Sequence, residues 1–170
     1  VTGACGHIGS FIIEQVGKIK KIKEVILIDN FNSHRYSTLF NLKKDKKFSF
    51  YNIDLSRTSL KKFKKVDYVI HCASLTNAQG SFSIKKEMFR NNISCMKNII
   101  KYCKRTSAKL IHLSSTSVYG DPNKIVDEES KFLIPQSPYA AIKLKEEKIL
   151  KNLNNKIEYI SLRFGTIAGV

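Results

Sequence analysis

Apolar runs of strand length alternate with segments of helical spacing along most of the chain. The runs fall at 25–28 (VILI), 48–53, 68–72, 110–113 and 157–162, each bounded by polar or turn-forming residues. Between them, residues 8–19 carry apolar side chains at helical intervals, and a longer segment places Ile84, Met88, Ile93, Met96, Ile100 and Cys103 on one side. A third helix is predicted over 137–153, with Pro138 suited to its first turn. Strand and helix in alternation predict an α/β fold, a doubly wound parallel sheet with helices on both faces. No Pro-, Gly- or Ser-rich stretch, repeat or low-complexity tract divides the chain, so residues 1–170 read as one domain. The one long irregular stretch, 121–136, follows the fourth complete strand. It belongs above the carboxyl ends of the strands, where open α/β sheets bind ligands.

The first helix is preceded by VTGACGHIGS, in which Gly3, Gly6 and Gly9 recur every third residue. Glycine permits a tight turn, lets backbone approach a pyrophosphate and allows helix to pack closely on strand. The helix amino terminus then favours negative charge. The next strand ends in Asp29, 20 residues after Gly9. A carboxylate there can accept both ribose hydroxyls of an adenosine and would repel the 2′-phosphate of NADP, so the pair of features points to NAD.

Tyr139 and Lys143 form a YxxxK on the third helix. At i and i+4 they share a face, so the ammonium can hydrogen-bond a ribose and lower the phenol pKa from its ordinary value near 10. Seven tyrosines and 25 lysines would produce about one such motif by chance, so position must carry the argument. Twenty-four residues before Tyr139, the strand LIHL runs out into SSTSVYG, placing hydroxyls at the carboxyl end of the sheet. Strand-end capping accounts for some of Ser114, Ser115, Thr116 and Ser117. One of them can hydrogen-bond the substrate oxygen that Tyr139 deprotonates.

The formal charge of +16 raises nucleic acid as a partner, but 25 of the 30 basic residues are Lys. Dispersed Lys fits solvated helix faces better than bidentate phosphate recognition, which favours Arg, so no nucleic acid is expected. No apolar run approaches the roughly 20 residues that cross a bilayer, and no membrane association is expected. Cys5, Cys72, Cys95 and Cys103 make no CxxC pair and the histidines are scattered, so the expectation is buried thiols in a reducing cytoplasm and no metal.

In this order, and over essentially the whole chain, TGACGHIGS, VILIDNF, YNIDLS, VIHCAS, the NNIS segment, IHLSSTSVYG, SPYAAIK and LRFGTIAG resemble the signatures of one family. It is the extended short-chain dehydrogenase/reductase family, more narrowly its NAD-dependent epimerase/dehydratase group. The resemblance implies a Rossmann fold in which Gly3, Gly6, His7, Ile8 and Gly9 hold the pyrophosphate of NAD. Asp29 and Asn30, with Asn32 and Ser33, would hold the adenosine ribose, and Asp54 and Leu55 would flank the adenine. Ala73, Ser74 and Asn92 would line the cofactor, together with Tyr139 and Lys143. Counting back from VYG selects Ser115 as the catalytic hydroxyl beside Tyr139 and Lys143. Thr166 stands where many relatives have Asn.

The implied chemistry is reversible hydride transfer on a nucleotide sugar, with Tyr139 as base, Lys143 and the cofactor ring stabilising its phenolate, and Ser115 polarising the oxygen. A dehydratase would also need an acid and a base after the catalytic hydroxyl, where this chain has Thr116 and Ser117, so an epimerase is favoured. The alternatives are a dehydratase or reductase of the same family, or a non-catalytic NAD-binding module. The resemblance also implies a homodimer through the second and third helices, and a carboxyl-terminal substrate region beyond GTIAG. Val1 and Thr2 read as the stub of a central first strand whose loss would leave a gap between the strands ending at Asp29 and Cys72. The chain is therefore expected to be an internal fragment of a larger enzyme, poorly stable and inactive by itself.

Overall fold

The computed structural model describes residues 1–40, 42, 48–76, 82–120, 125–130 and 132–167. In chain order the elements are α1 (His7–Lys18), β1 (Val25–Asp29), β2 (Phe48–Asn52), β3 (Tyr68–His71), α2 (Lys85–Thr106), β4 (Lys109–Ser115), α3 (Pro138–Lys151) and β5 (Tyr159–Phe164). All strand pairs are parallel: β1 with β2, and β3 with β4 and β4 with β5. The long irregular stretch enters α3 as expected, but its residues 121–124 and 131 lie outside the described residues, as do 168–170, which include the last two residues of the GTIAG segment.

The helix ends follow from local chemistry. Ser137 precedes α3 and its hydroxyl accepts the Ala140 N–H, with Pro138 in the first turn where its missing N–H costs nothing. The carboxyl end of α2 is closed by Ser107 in the left-handed region (φ 58°), whose N–H donates to the Cys103 carbonyl. Because strands alternate, β1 divides its side chains between two layers. Val25 and Leu27 pack with Ala4 and Ile13 under α1. Ile28, with Val69 and Leu110, packs against Met96, Ile99 and Cys103 of α2 and Leu150 of α3. Leu27 and Leu110 are essentially fully buried, and each such side chain contributes about 1.5–3 kcal/mol.

The two groups of strands are joined through the first residues of the chain. Thr2 bridges in parallel to Ile28 of β1 on one side and to His71 of β3 on the other. Ile28 N–H donates to the Val1 carbonyl and Cys72 N–H to the Thr2 carbonyl, while Thr2 and Ala4 donate to Ile70 and Ile28. The resulting order is β2, β1, the 1–4 segment, β3, β4, β5, the doubly wound order expected.

Two expectations are corrected. The gap expected between the strands ending at Asp29 and Cys72 is bridged at their carboxyl ends, where Val1 and Thr2 hydrogen-bond on both sides. The last strand is Tyr159–Phe164 rather than 157–162: Ile157 is buried in the α2–α3 core, so the apolar run begins before the strand does. Beside α1, the other sheet face presents Ile70, Ile111, Leu113, Leu162 and Phe164 to an open cavity of about 1290 Å³.

Within the junction, Thr2 Oγ1 lies 2.7 Å from His71 Nδ1, and both residues are buried. Burial pushes the His71 pKa down to about 3, so the ring is neutral. Thr2→Val keeps the shape and leaves that ring nitrogen without a partner. A loss of about 1–3 kcal/mol in urea unfolding is expected, most of it recovered in Thr2→Ser.

Candidate active site

The carboxyl ends of the strands meet at the glycine loop. Gly3 has φ 64°, and a Cβ there would stand 2.6 Å from the Ala73 nitrogen; at Gly9 it would stand 2.0 Å from the Gly3 carbonyl oxygen. Only glycine allows the helix to start this close to the strands. Gly6 precedes α1 without a side-chain cap, and the first helical donor is Ser10 N–H to the Gly6 carbonyl. The amides of His7, Ile8 and Gly9 thus have no intrahelical carbonyl, and no acidic side chain occupies the first turn. This is a cradle for an anion.

Asp29 stands beside it. Its Oδ2 accepts the Cys5 N–H at 2.9 Å and its Oδ1 the Phe31 N–H at 2.8 Å. A carboxylate has about four acceptor positions, so two remain. Asn30, Asn32 and Ser33 follow on an exposed turn in which Asn30 Oδ1 accepts the Asn32 N–H. Asp54 holds its own turn by accepting from Ser56, while Leu55 buries its side chain and its carbonyl accepts from Asn98 of α2. Asn92 is fully buried. Its Oδ1 accepts the Leu75 N–H at 2.8 Å and its Nδ2 donates to Ser74 Oγ at 2.9 Å, so it fixes the 73–75 loop.

On α3, Tyr139 and Lys143 share a face, with the ammonium 5.9 Å from the phenol ring centre. Lys143 is only 4 % exposed, and its nitrogen donates to Glu146 Oε2 at 2.9 Å. The same oxygen lies 3.0 Å from His112 Nε2, and His112 Nδ1 lies 2.8 Å from Ser161 Oγ. Burial holds the His112 pKa below its ordinary value, so the ring is neutral; an ionised carboxylate only accepts, so Nε2 donates to Glu146 and Nδ1 accepts from Ser161. Burial favours the neutral amine at Lys143, but Glu146, through its charge and its hydrogen bond, together with Tyr139 and Cys72, outweighs it and holds the pKa above the usual lysine value. Burial likewise opposes charge on Glu146, and Lys143 and His112 together hold its carboxyl well below the usual range.

The ammonium lowers the phenol pKa as expected, but other effects outweigh it. Burial raises the Tyr139 pKa above its ordinary value; Lys143 pulls it down and Glu146 pushes it up, and burial prevails.

The serines divide by strand alternation. Ser114 is buried and donates to Glu147 Oε1 on α3, whose carboxylate also takes a bidentate pair from Arg163 at 3.0 and 2.7 Å. Arg163 donates as well to the Tyr119 hydroxyl. Ser115 accepts from the Ser117 N–H and hydroxyl, and among the described residues its hydrogen bonds stay within this turn. It lines a second cavity of about 840 Å³ with Thr116, Tyr119, Asp127, Glu128 and Thr166. The larger cavity is mostly apolar and includes His7 and Ile8 at the start of α1; the smaller one holds Ser115, and neither is lined by Tyr139 or Lys143. Glu146, His112, Glu147 and Arg163 escaped the sequence reading. The repeat of Lys143 and Glu146 at i, i+3 was the one available signal.

Among the described residues no group of His, Cys, Asp and Glu could hold a metal ion, and no helix is long and apolar enough to cross a membrane.

A family model described as the NAD dependent epimerase/dehydratase family matches residues 1–170. An uncharacterized UDP-glucose epimerase, YtcB, of Bacillus subtilis is 32% identical over 99% of this chain and 56% of its own length. The UDP-glucose 4-epimerase of Lactobacillus helveticus is 28% identical over 99% and 51%. Among solved structures, the UDP-glucuronic acid 4-epimerase of Bacillus cereus in complex with NAD superposes with a TM-score of 0.86 at 30% identity, covering 99% of this chain and 56% of that one. The UDP-N-acetylglucosamine 4-epimerase of Methanobrevibacter ruminantium gives 0.84 at 33% identity, over 95% and 52%. The chain spans about half the length of the curated relatives it matches.

The Glu146 carboxyl is depressed in the folded protein, from about 4.5 toward 2. It therefore contributes stability that is complete above about pH 5 and is lost as pH falls through the acid range. Glu146→Gln should flatten the dependence of unfolding free energy on pH between about 5 and 3 relative to wild type, measured by denaturant titration at each pH.

Proposed function

The chain belongs to the NAD dependent epimerase/dehydratase family, and from that premise we propose that it forms the NAD-binding, catalytic part of a nucleotide-sugar epimerase. The observation that carries the proposal is the Tyr139–Lys143 pair, with a buried, charged ammonium behind the phenol on α3. The residues fit the cofactor. A cradle that a Cβ would fill, uncapped amides at the start of α1, and a carboxylate with spare acceptor positions match a pyrophosphate next to a ribose.

In this reading Gly3, Gly6, His7, Ile8 and Gly9 hold the pyrophosphate through backbone amides. Asp29 accepts from the adenosine ribose, Asn30, Asn32 and Ser33 flank it, and the turn at Asp54 and Leu55 borders the adenine. Ala73 and Ser74 line the nicotinamide half, positioned by Asn92 through their shared loop. NAD, when bound, supplies a reversible hydride acceptor for the sugar carbon that bears the reacting hydroxyl.

Tyr139, as phenolate, takes the proton from that hydroxyl, and returns it when the sugar is reduced on its other face. Lys143 donates to the nicotinamide ribose and favours the phenolate by its charge. Ser115 hydrogen-bonds the same sugar oxygen. Ser114 is excluded from that role because its hydroxyl is committed to Glu147.

Removing the phenol oxygen removes the base without altering the cradle. Tyr139→Phe should lower kcat by about 10²–10⁴-fold while leaving NAD affinity nearly unchanged, read with UDP-glucose, UDP-N-acetylglucosamine and UDP-glucuronic acid as substrates. Retained turnover in the variant would refute the assignment. Asp29→Ala should weaken NAD binding by about tenfold or more and narrow the preference over NADP, measured by calorimetry.

A further inference from the structure

Lys143 has an unusual situation for a residue that must stay charged. It is buried, and the titratable groups whose charges bear on it are Tyr139 and Glu146 on its own helix, His71 and Cys72 from the end of β3, His112 from β4 and Cys95 from α2. Burial keeps both histidines neutral and both thiols protonated, with Cys72 pushed up to about 11 and Cys95 to about 12. Among the described residues, Glu146 is the only carboxylate within ion-pair distance of the ammonium. Glu147, its neighbour in sequence, points instead to Arg163 and Ser114.

Glu146 is itself prepared for this. Both Lys143 and His112 reach the same oxygen, Oε2, at 2.9 and 3.0 Å, and Ser161 holds the far side of the imidazole at 2.8 Å. The line Ser161–His112–Glu146–Lys143 runs from β5 across β4 to α3. A buried ion pair is weak evidence of stability, since apolar side chains of similar volume often do as well in its place. What apolar side chains cannot do is keep an amine protonated out of water. Of the three N–H groups on the ammonium, one goes to Glu146, leaving donors for a ligand.

We infer that Glu146, backed by His112, is a positioning residue for the proposed reaction: its carboxylate keeps the buried Lys143 ammonium charged, and so keeps the cofactor ribose bound, into alkaline solution. The inference rests on the reading of Lys143 as a ligand of NAD. A merely structural Glu146 would change folding stability and leave the pH dependence of cofactor binding where it was.

The test is the affinity of the full-length protein for NADH, followed by fluorescence from pH 7 to 10. Wild type should bind with little change across the range. Glu146→Gln, shown folded by thermal melting, should lose about tenfold or more of its affinity between pH 8 and 10, the change that one unit of displaced protonation produces. Lys143→Met should bind weakly with no such pH dependence, assigning the loss to that amine. His112→Phe fills the space and removes the donor behind Glu146; it should show a smaller loss in the same direction, and carries the test if Glu146→Gln does not fold. A folded variant whose profile follows wild type overturns the inference and leaves the proposed function standing. A folded wild-type protein that binds no NADH at any pH refutes the proposed function, and the inference with it.

Discussion

The close approach of backbone to backbone at the glycine loop is the contact on which the rest depends. A single Cβ at Gly3 would enter the peptide of Cys72 and Ala73, and one at Gly9 would enter the Gly3 carbonyl. With both absent, Val1 to Ala4 can lie between β1 and β3 and exchange hydrogen bonds with each. That wedge joins a two-stranded and a three-stranded group into one sheet. It also starts α1 within reach of the carboxyl ends of β1 and β3. The same sterics thus serve the fold and the anion cradle, and Asp29 adds to both by accepting the Cys5 amide while facing the loop.

On the other side of the sheet the organising element is charge rather than space. The α3 face toward β4 holds two carboxylates side by side in sequence, and they have separate tasks. Glu147 locks Ser114, Arg163 and through it Tyr119, which fixes the turn carrying Ser115. Glu146 faces inward to His112 and Lys143. Because the two carboxylates point different ways, the serine turn and the lysine are anchored independently. Charge on Lys143 favours the Tyr139 phenolate, yet Glu146 and burial both oppose it, so the phenol begins above its ordinary pKa. In the proposed reaction the cationic nicotinamide would add to Lys143 in bringing it down.

Much of this was legible in the sequence, for identifiable reasons. Apolar runs of strand length and helical spacing located the five strands and three helices, because most of these elements turn apolar side chains toward the layers between sheet and helices. The glycine spacing and Asp29 were legible because the constraint is local: a sharp turn and the end of the next strand. The boundary of β5 was not, since Ile157 is apolar for a reason other than strand pairing. Nor was the sign of the Tyr139 shift, which depends on how deeply α3 sits on the sheet. Glu146 and His112 lie 34 residues apart, and nothing in either segment shows that the strand and helix will bring Nε2 within 3.0 Å of the carboxylate. Long-range polar pairs of this kind become visible only once the layers are assembled.

The carboxyl edge of this sheet is proposed to bind NAD through the glycine loop and Asp29. Amide hydrogen exchange with and without NAD, resolved by peptide and repeated with duplex DNA at physiological salt, tests it most directly. The account predicts protection on NAD addition concentrated at residues 3–9 and 29–33, with none there on DNA addition. A folded protein whose exchange at those residues is unchanged by saturating NAD would contradict it.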